Sequence, residues 1–494
     1  MEGLGALASD LAQVALDTAR ARGAAYADVR VGRYRNELVS LQFSPTSGHV
    51  HAVQARQSFG CGVRVVADGA WGFAASHRVE RAEVERIAAE AVAVARANAA
   101  ALREPVRLVP VDAYVDRWET PFQIDPVTVT VEAKLALLEQ AVDACRAVPG
   151  VFRVTAQVWA NSEHKLFAST EGSFLEQRLV RTYPFLGATA VDRQAGKSKS
   201  RNYWPGGASA GWEYAAGARL VEEAPRVGEQ AVEHLRAPSV DPGPKDLVLM
   251  PSHLCLTIHE SVGHSTELDR ALGLEADFAG TSFLAPPREV MGRFRIGSPL
   301  VTFYGDRTDS GSLATCKYDD DGVPTQRWAI VERGTFMAYQ TTRDQAHWVG
   351  EPASRGCSYA DSWASIPFQR MPNIWLAPSD TPCSLDDLIA GVDDGILIDG
   401  TGSFSIDHQR YNFQFGGDAF WEIKRGRRGR MLADVAYQSR TPDFWSACDA
   451  LGDARTFENP GLPGDGKGQP PQNNQISHGC PPARFRSITV LRTE

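Results

Sequence analysis

The chain lacks most of the features that would take it out of ordinary globular chemistry. No stretch approaches the ~20 apolar residues that a membrane-crossing helix needs. The opening residues, Met1-Glu2-Gly3-Leu4, have neither the basic region nor the apolar core of a secretory signal, so a cytoplasmic protein is expected. The eight cysteines (61, 145, 255, 316, 357, 383, 448 and 480) are scattered and form no C-x-x-C. That argues against a disulfide framework and against a structural zinc knuckle. Positive charge is in deficit, with 51 Lys and Arg against 60 Asp and Glu and a net charge of −9. Such a balance disfavours nucleic acid and anionic membranes as partners. The one basic run, Lys424-Arg425-Gly426-Arg427-Arg428-Gly429-Arg430, reads as a solvated hairpin tip. No internal repeat of 20–50 residues is present.

The 494 residues are 43% hydrophobic and 22% charged, enough for two or three domains with sizeable cores. Apolar residues at helical spacing (Leu4, Leu7, Leu11, Val14, Ala15) predict a helix over 3–22. Alternating segments predict strands at 26–31 and 37–41, and a hairpin over 62–73 turning at Asp68-Gly69. Helices are expected over about 79–102, 129–147 and 213–235. Strands at 151–159 and 165–169 are expected to be joined through Asn161-Ser162-Glu163. Pro238-Ser239-Val240-Asp241-Pro242-Gly243-Pro244 reads as a linker. Beyond it, short alternating strands and turn residues dominate. The expectation is an α+β protein of two domains: a mixed α/β domain over 1–237, and a mostly β, barrel-like catalytic domain over 245–494.

The densest chemistry lies in Thr257-Ile258-His259-Glu260-Ser261-Val262-Gly263-His264. Neutral imidazoles are good zinc ligands, and a neighbouring carboxylate can act as general base. In the H-E-x-x-H pattern of zinc proteases the histidines are four apart and share a helix face. Here they are five apart. At 100° per residue, i+4 leaves side chains roughly 40° apart and i+5 roughly 140° apart. A regular α-helix cannot aim both at one ion, so a π-bulge or a helix end is expected, with Gly263 at the irregularity.

With its flanks, His259-Glu260-Ser261-Val262-Gly263-His264-Ser265-Thr266-Glu267-Leu268-Asp269-Arg270 followed by Gly280-Thr281-Ser282-Phe283, this stretch resembles the TldD/PmbA metallopeptidases. Ala27-Asp28-Val29-Arg30, Gly62-Val63-Arg64-Val65, Tyr318-Asp319-Asp320-Asp321-Gly322 and Ser477-His478-Gly479 are similar to other parts of that family. The resemblance implies a zinc peptidase of the motif-bearing, TldD-like type. It also implies flexible or unfolded peptides as substrates, in an active site enclosed by a dimer with a second copy or with a PmbA-like (TldE) subunit. His259 and His264 would bind Zn²⁺ and Glu260 would be the catalytic base. The family's third ligand is a cysteine in a C-G-K-x-G-Q-like element. Here the matching element, Gly464-Asp465-Gly466-Lys467-Gly468-Gln469-Pro470, is one residue shorter and carries Asp465 where the cysteine is expected. Zinc accepts an aspartate oxygen readily, so Asp465 is the candidate third ligand, with Cys448, Cys480 and His478 as alternatives.

Lys467 and Gln469 are either oxyanion or substrate contacts, or solvated tips of a glycine-rich loop. Glu267 and Asp269 are either acceptors for a ligand histidine or salt-bridge partners of Arg270. His408 reads as structural. Two rival functions stand beside the peptidase: a catalytically silent peptide-binding subunit, and a metal-dependent hydrolase of another amide.

Overall fold

The computed structural model describes residues 5–493. The expected N-terminal helix is present as α1 (Gly5–Ala21), and Leu4 lies outside the described residues. The first half is built on one seven-stranded sheet. Its strands are β1 (Tyr26–Ser44), β2 (Gly48–Ala67), β3 (Ala70–Ser76), β4 (Val115–Glu119), β5 (Val151–Ser169), β6 (Phe174–Asp192) and β7 (Lys197–Tyr203). They lie in the order β3-β2-β1-β5-β6-β4, with β7 also paired to β6. The β2–β3 turn is at Asp68 and Gly69, whose φ values of 50° and 79° are both left-handed. A two-residue turn of that kind matches strand twist, which is why Asp-Gly marks it.

Two pairs of predicted strands prove to be continuous. Residues 26–31 and 37–41 are one strand, as are 151–159 and 165–169. Asn161-Ser162-Glu163 looks like a turn but runs mid-strand, paired with Asn36, Arg35 and Tyr34. The reason is the sheet's asymmetry. Odd positions of β1 such as Val29, Val31, Val39 and Leu41 join the apolar cores under the helices. Those helices are α1, α2 (Arg81–Ala99), α3 (Val131–Arg146) and, after the short α4 (Trp212–Ala216), α5 (Leu220–Arg236). The last two were expected as a single helix; Gly217 ends α4. The even positions of β1 and their neighbours form a polar face. Asp28, Arg30, Glu163, Lys165 and Arg181 are buried there, although a pattern of charges reads as surface.

That polar face meets the second half of the chain. Lys165 Nζ donates to Asp320 at 2.8 Å, and Arg64 Nη2 bridges Asp28 (2.7 Å) and Asp321 (2.6 Å). The run Asp319-Asp320-Asp321 is therefore a buried acidic latch. Buried charges persist only when paired in this way.

In the second half, β8 (Gly243–Leu249) pairs in parallel with Asp394–Ile406 and antiparallel with Ala483–Arg492. Val435–Arg440 and Asn412–Lys424 complete a closed ring of five strands, since Asn412–Lys424 also pairs with Asp394–Ile406. The alternation is strict: Leu247, Leu249, Ile396 and Ile398 face the barrel interior. Val248, Leu397 and Trp421 face outward beneath the helix Leu385–Ala390. The run Lys424–Arg430 is the tip of a hairpin, with Arg425 and Gly426 at left-handed φ. Directly after β8, α6 (Pro251–Ile258) begins with Pro251 in its first turn and sends Leu254 and Ile258 into the barrel core. No helix among the described residues is long and apolar enough to cross a membrane.

Candidate metal centre

α6 changes its winding at the motif. Residues His259–Gly263 form a single π-helical turn, closed by the amide of His264 donating to the carbonyl of His259. A 3-10 turn, His264–Thr266, follows. The wider turn brings residues five apart onto one face. The two imidazole centroids are 4.5 Å apart with planes at 71°. Carbonyls released by the irregular winding are taken up by hydroxyls: Ser265 Oγ donates to Ser261 O at 2.7 Å and Thr266 Oγ1 to Val262 O at 2.8 Å. Gly263 is required by packing rather than by backbone freedom. Its φ is −55°, and a Cβ there would meet Met371 Sδ at 2.5 Å.

The hairpin Gly461–Lys467/Gln472–Ser477 brings Asp465 beside the two imidazoles. Asp465 Oδ1 lies 3.6 Å from His264 Nε2 and 4.0 Å from His259 Nε2, while its Oδ2 accepts from Arg370 Nη2 at 3.2 Å. Ligand atoms around one tetrahedral zinc, each about 2.1 Å away, sit about 3.4 Å from one another. The two nitrogen–oxygen distances lie near that spacing, and these atom types suit a small divalent cation. Glu260 adjoins them, since His259, Glu260 and His264 can each bring a ligand atom within 4.8 Å of the others.

The far sides of the imidazoles are tied off. His264 Nδ1 is 3.0 Å from Glu267 Oε2, which also takes Arg270 Nε. A carboxylate there favours the proton on Nδ1 and a free Nε2 lone pair, while Arg270 Nη2, a donor 3.0 Å from the same Nδ1, opposes it. His259 Nδ1 is 3.0 Å from His478 Nε2, a hydrogen bond that fixes the orientation of the His259 ring. Burial, aided by Arg410, pushes His259 down to about 3. Burial and Arg270 hold His264 well below the usual imidazole range. Both are neutral, the form a metal needs. Burial pushes the Glu260 carboxyl up to about 7, against the pull of Arg410, whose Nη1 lies 2.5 Å from Glu260 Oε2. A buried carboxyl poised near neutrality suits proton transfer.

The remaining expected residues fall as follows. Lys467 is completely buried, so neither the solvated reading nor the oxyanion reading fits it. Its Nζ binds Glu267 Oε1 (3.2 Å), Asp269 Oδ2 (2.7 Å) and the Gln369 carbonyl (3.1 Å). Glu267 thus serves both as acceptor for His264 and as salt-bridge partner of Arg270. Burial works to raise it, but Lys467 and Arg270 hold it well below the usual carboxylate range. Gln469 and His408 are exposed. Of the alternative ligands, His478 touches the wrong nitrogen of His259. Cys448 sits in the barrel core with its thiol pushed up to about 12 by burial, and Cys480 approaches the start of α6 at Pro251 O. Arg410 and the roles of His478 and Lys467 escape a reading of the sequence. They lie roughly 150–220 positions from their partners, and no local pattern marks them.

Three consecutive segments match models of one family: residues 27–95 match the PmbA/TldA metallopeptidase domain 1, 124–237 its central domain, and 242–492 its C-terminal domain. The chain belongs to the PmbA/TldD metallopeptidase family. Among curated relatives, a metalloprotease of Methanothermobacter thermautotrophicus is 27% identical over 428 residues, covering 86% of this chain and 88% of that one. The metalloprotease TldD homolog of Haemophilus influenzae is 26% identical over 377 residues, 74% of each chain. The crystal structure of TldE from Thermococcus kodakarensis shares the fold, with a TM-score of 0.73 at 15% identity over 97% of this chain and 99% of that one. This member is a metallopeptidase, and His259, Glu260 and His264 form a buried cluster that could hold a metal ion.

Proposed function

We propose that the protein is a zinc peptidase that hydrolyses flexible or unfolded peptides, with His259, His264 and Asp465 as the three protein ligands. The observation that carries this reading is the convergence of two imidazole Nε2 atoms and one Asp465 oxygen, with Glu260 beside them. A zinc ion held there supplies Lewis acidity, which acidifies water toward neutral pH and polarises a carbonyl. Glu260 takes the proton of the attacking water and passes it to the leaving amine. Arg410 holds the Glu260 carboxylate in place from the turn between two barrel strands. Glu267 and His478 keep the imidazoles oriented. Extended, flexible peptides are the proposed substrates because recognition through main chain tolerates any side chain.

The protein works as a dimer, with itself or with a TldE-like subunit. The outer half of β2 supports this: residues 48–58 pair with β1 but with no outer strand among the described residues, and they are exposed. An open edge of that length is a template for another chain. Eight unpaired cysteines suit a reducing, cytoplasmic setting.

The Arg410–Glu260 ion pair favours a second reading, in which the base is permanently neutralised and the subunit only binds peptides. One experiment separates the two. Purified protein is loaded with zinc and assayed on unstructured peptides beside Glu260→Gln. Hydrolysis by wild type and none by the variant, at equal metal content, supports the peptidase. Metal without hydrolysis in both supports the silent subunit.

A further inference from the structure

The polar face of the N-terminal sheet is not wholly covered by the acidic latch. Beside the latch it floors a cavity of about 710 Å³, roofed by the Tyr359–Ser362 segment and by the outer side of the Asp465 hairpin. A volume of this size lies within the range of roughly 300–1,000 Å³ typical of ligand sites. Four adjacent strands supply the floor. The register sets Asn36 against Asn161 and Trp159 against Tyr183. The Trp159 and Tyr183 rings are stacked, with centroids 4.8 Å apart.

Two features mark this as a place for a polar, amide-bearing ligand. First, two buried lining residues leave a polar atom without any hydrogen-bond partner: Tyr183 Oη and Gln475 Oε1. Buried polar atoms are rarely left unpaired, and each orphan costs about 1–3 kcal/mol unless something else satisfies it. Second, the walls are rich in side-chain amides, including Gln54, Gln157, Asn161 and Asn473. Each amide both donates and accepts, as a peptide bond does.

The cavity is joined to the metal centre through one ribbon. Asn473 and Gln475 flank Asn474, the register partner of Asp465. Side chains alternate across a strand, so the hairpin shows Asp465 to the imidazoles on one face and Gln475 to the cavity on the other. A second cavity of about 960 Å³ shares Phe185 and Trp204 with the first and reaches Cys255, one helical turn before His259.

We infer that this cleft anchors an extended segment of the peptide substrate, remote from the scissile bond. The amides hold its main chain, and a bulky apolar side chain is seated against the Trp159–Tyr183 stack. The inference rests on the peptidase reading for the identity of its occupant. It assigns the N-terminal domain the role of reading peptide length, which the metal centre alone does not supply.

The test uses the full chain, a fluorescein-labelled unstructured decapeptide containing one phenylalanine, and a dipeptide amide as short substrate. Trp159→Leu and Gln157→Ala, both at half-buried positions, are compared with wild type after circular dichroism confirms folding. Loss of one aromatic anchor is expected to raise KM for the decapeptide about tenfold with kcat unchanged, and to leave the dipeptide amide unaffected. In the Glu260→Gln background, decapeptide binding followed by anisotropy is expected to weaken by a similar factor. Wild-type KM and wild-type binding in both variants would overturn the anchor while leaving the peptidase reading intact. Binding that depends on Trp159 without any hydrolysis would keep the anchor and remove the peptidase. Failure of wild type to bind or cleave the decapeptide would overturn both.

Discussion

Replacing Lys467 with methionine removes a single positive charge from a place with no water. Lys467 and Glu267 are fully buried and Asp269 is 3% exposed, so both carboxylates depend on partners rather than on solvent. Glu267 keeps Arg270, but Asp269 keeps only the backbone amide of Arg270. Removing one partner of a buried ion pair costs about 3–5 kcal/mol, because the charge left behind is uncompensated. In a unit of about 250 residues, each kcal/mol shifts Tm by about 2–4 °C, so a drop of roughly 10 °C is expected. The consequence reaches the metal, because Glu267 orients His264 and Lys467 fastens the hairpin carrying Asp465. Loss of such support weakens metal binding about 10–100-fold. Thermal unfolding followed by circular dichroism, with zinc titration against a chelator of known affinity, reads both effects. The double variant Lys467→Met with Asp269→Asn should recover part of the lost stability, since it removes the stranded charge as well. A single variant that unfolds within 1 °C of wild type and binds zinc equally would refute the reasoning.

Glu260→Gln should retain the metal and lose hydrolysis by about 10²–10⁴-fold, read by elemental analysis and by peptide turnover. His478→Ala removes the group that orients His259 Nδ1, and a competition titration should show metal affinity lowered about 10–100-fold. Acid should destabilise the fold through His253, which is buried between Gly400 O and Tyr437 Oη and pushed down to about 4, chiefly by burial. A depressed histidine stabilises above its unfolded value near 6.5, and that contribution is lost as pH falls from about 6.5 to about 4. The shift corresponds to about 3 kcal/mol, so urea midpoints should fall across that range. The decline should be shallower in His253→Asn; an identical decline in the variant would count against the assignment.

What the sequence makes legible follows from how local the cause is. The i, i+5 spacing of His259 and His264 cannot be served by a regular α-helix, and the π turn is the geometric answer. Asp68-Gly69 announces its turn because both residues must adopt left-handed φ. The alternation in 245–494 foretells a barrel because each strand faces one core. Asn161-Ser162-Glu163 misleads for the opposite reason. Its polarity is explained by Arg181, Tyr359 and Asn36, which arrive from distant strands and loops. Lys467 looks like a solvated loop lysine until Glu267 and Asp269 are folded against it. The Glu260 partner Arg410 sits at a left-handed φ of 64° in a turn held by Asp407, and nothing in its sequence neighbours singles it out.

The central claim is that His259, His264 and Asp465 hold one catalytic metal ion. It is tested most directly by elemental analysis of purified wild type and Asp465→Ala after incubation with zinc and removal of excess. The expected result is about one zinc per chain in wild type and most of it lost in the variant, with the fold retained by circular dichroism. Full metal content in Asp465→Ala, or none in wild type, would contradict the claim.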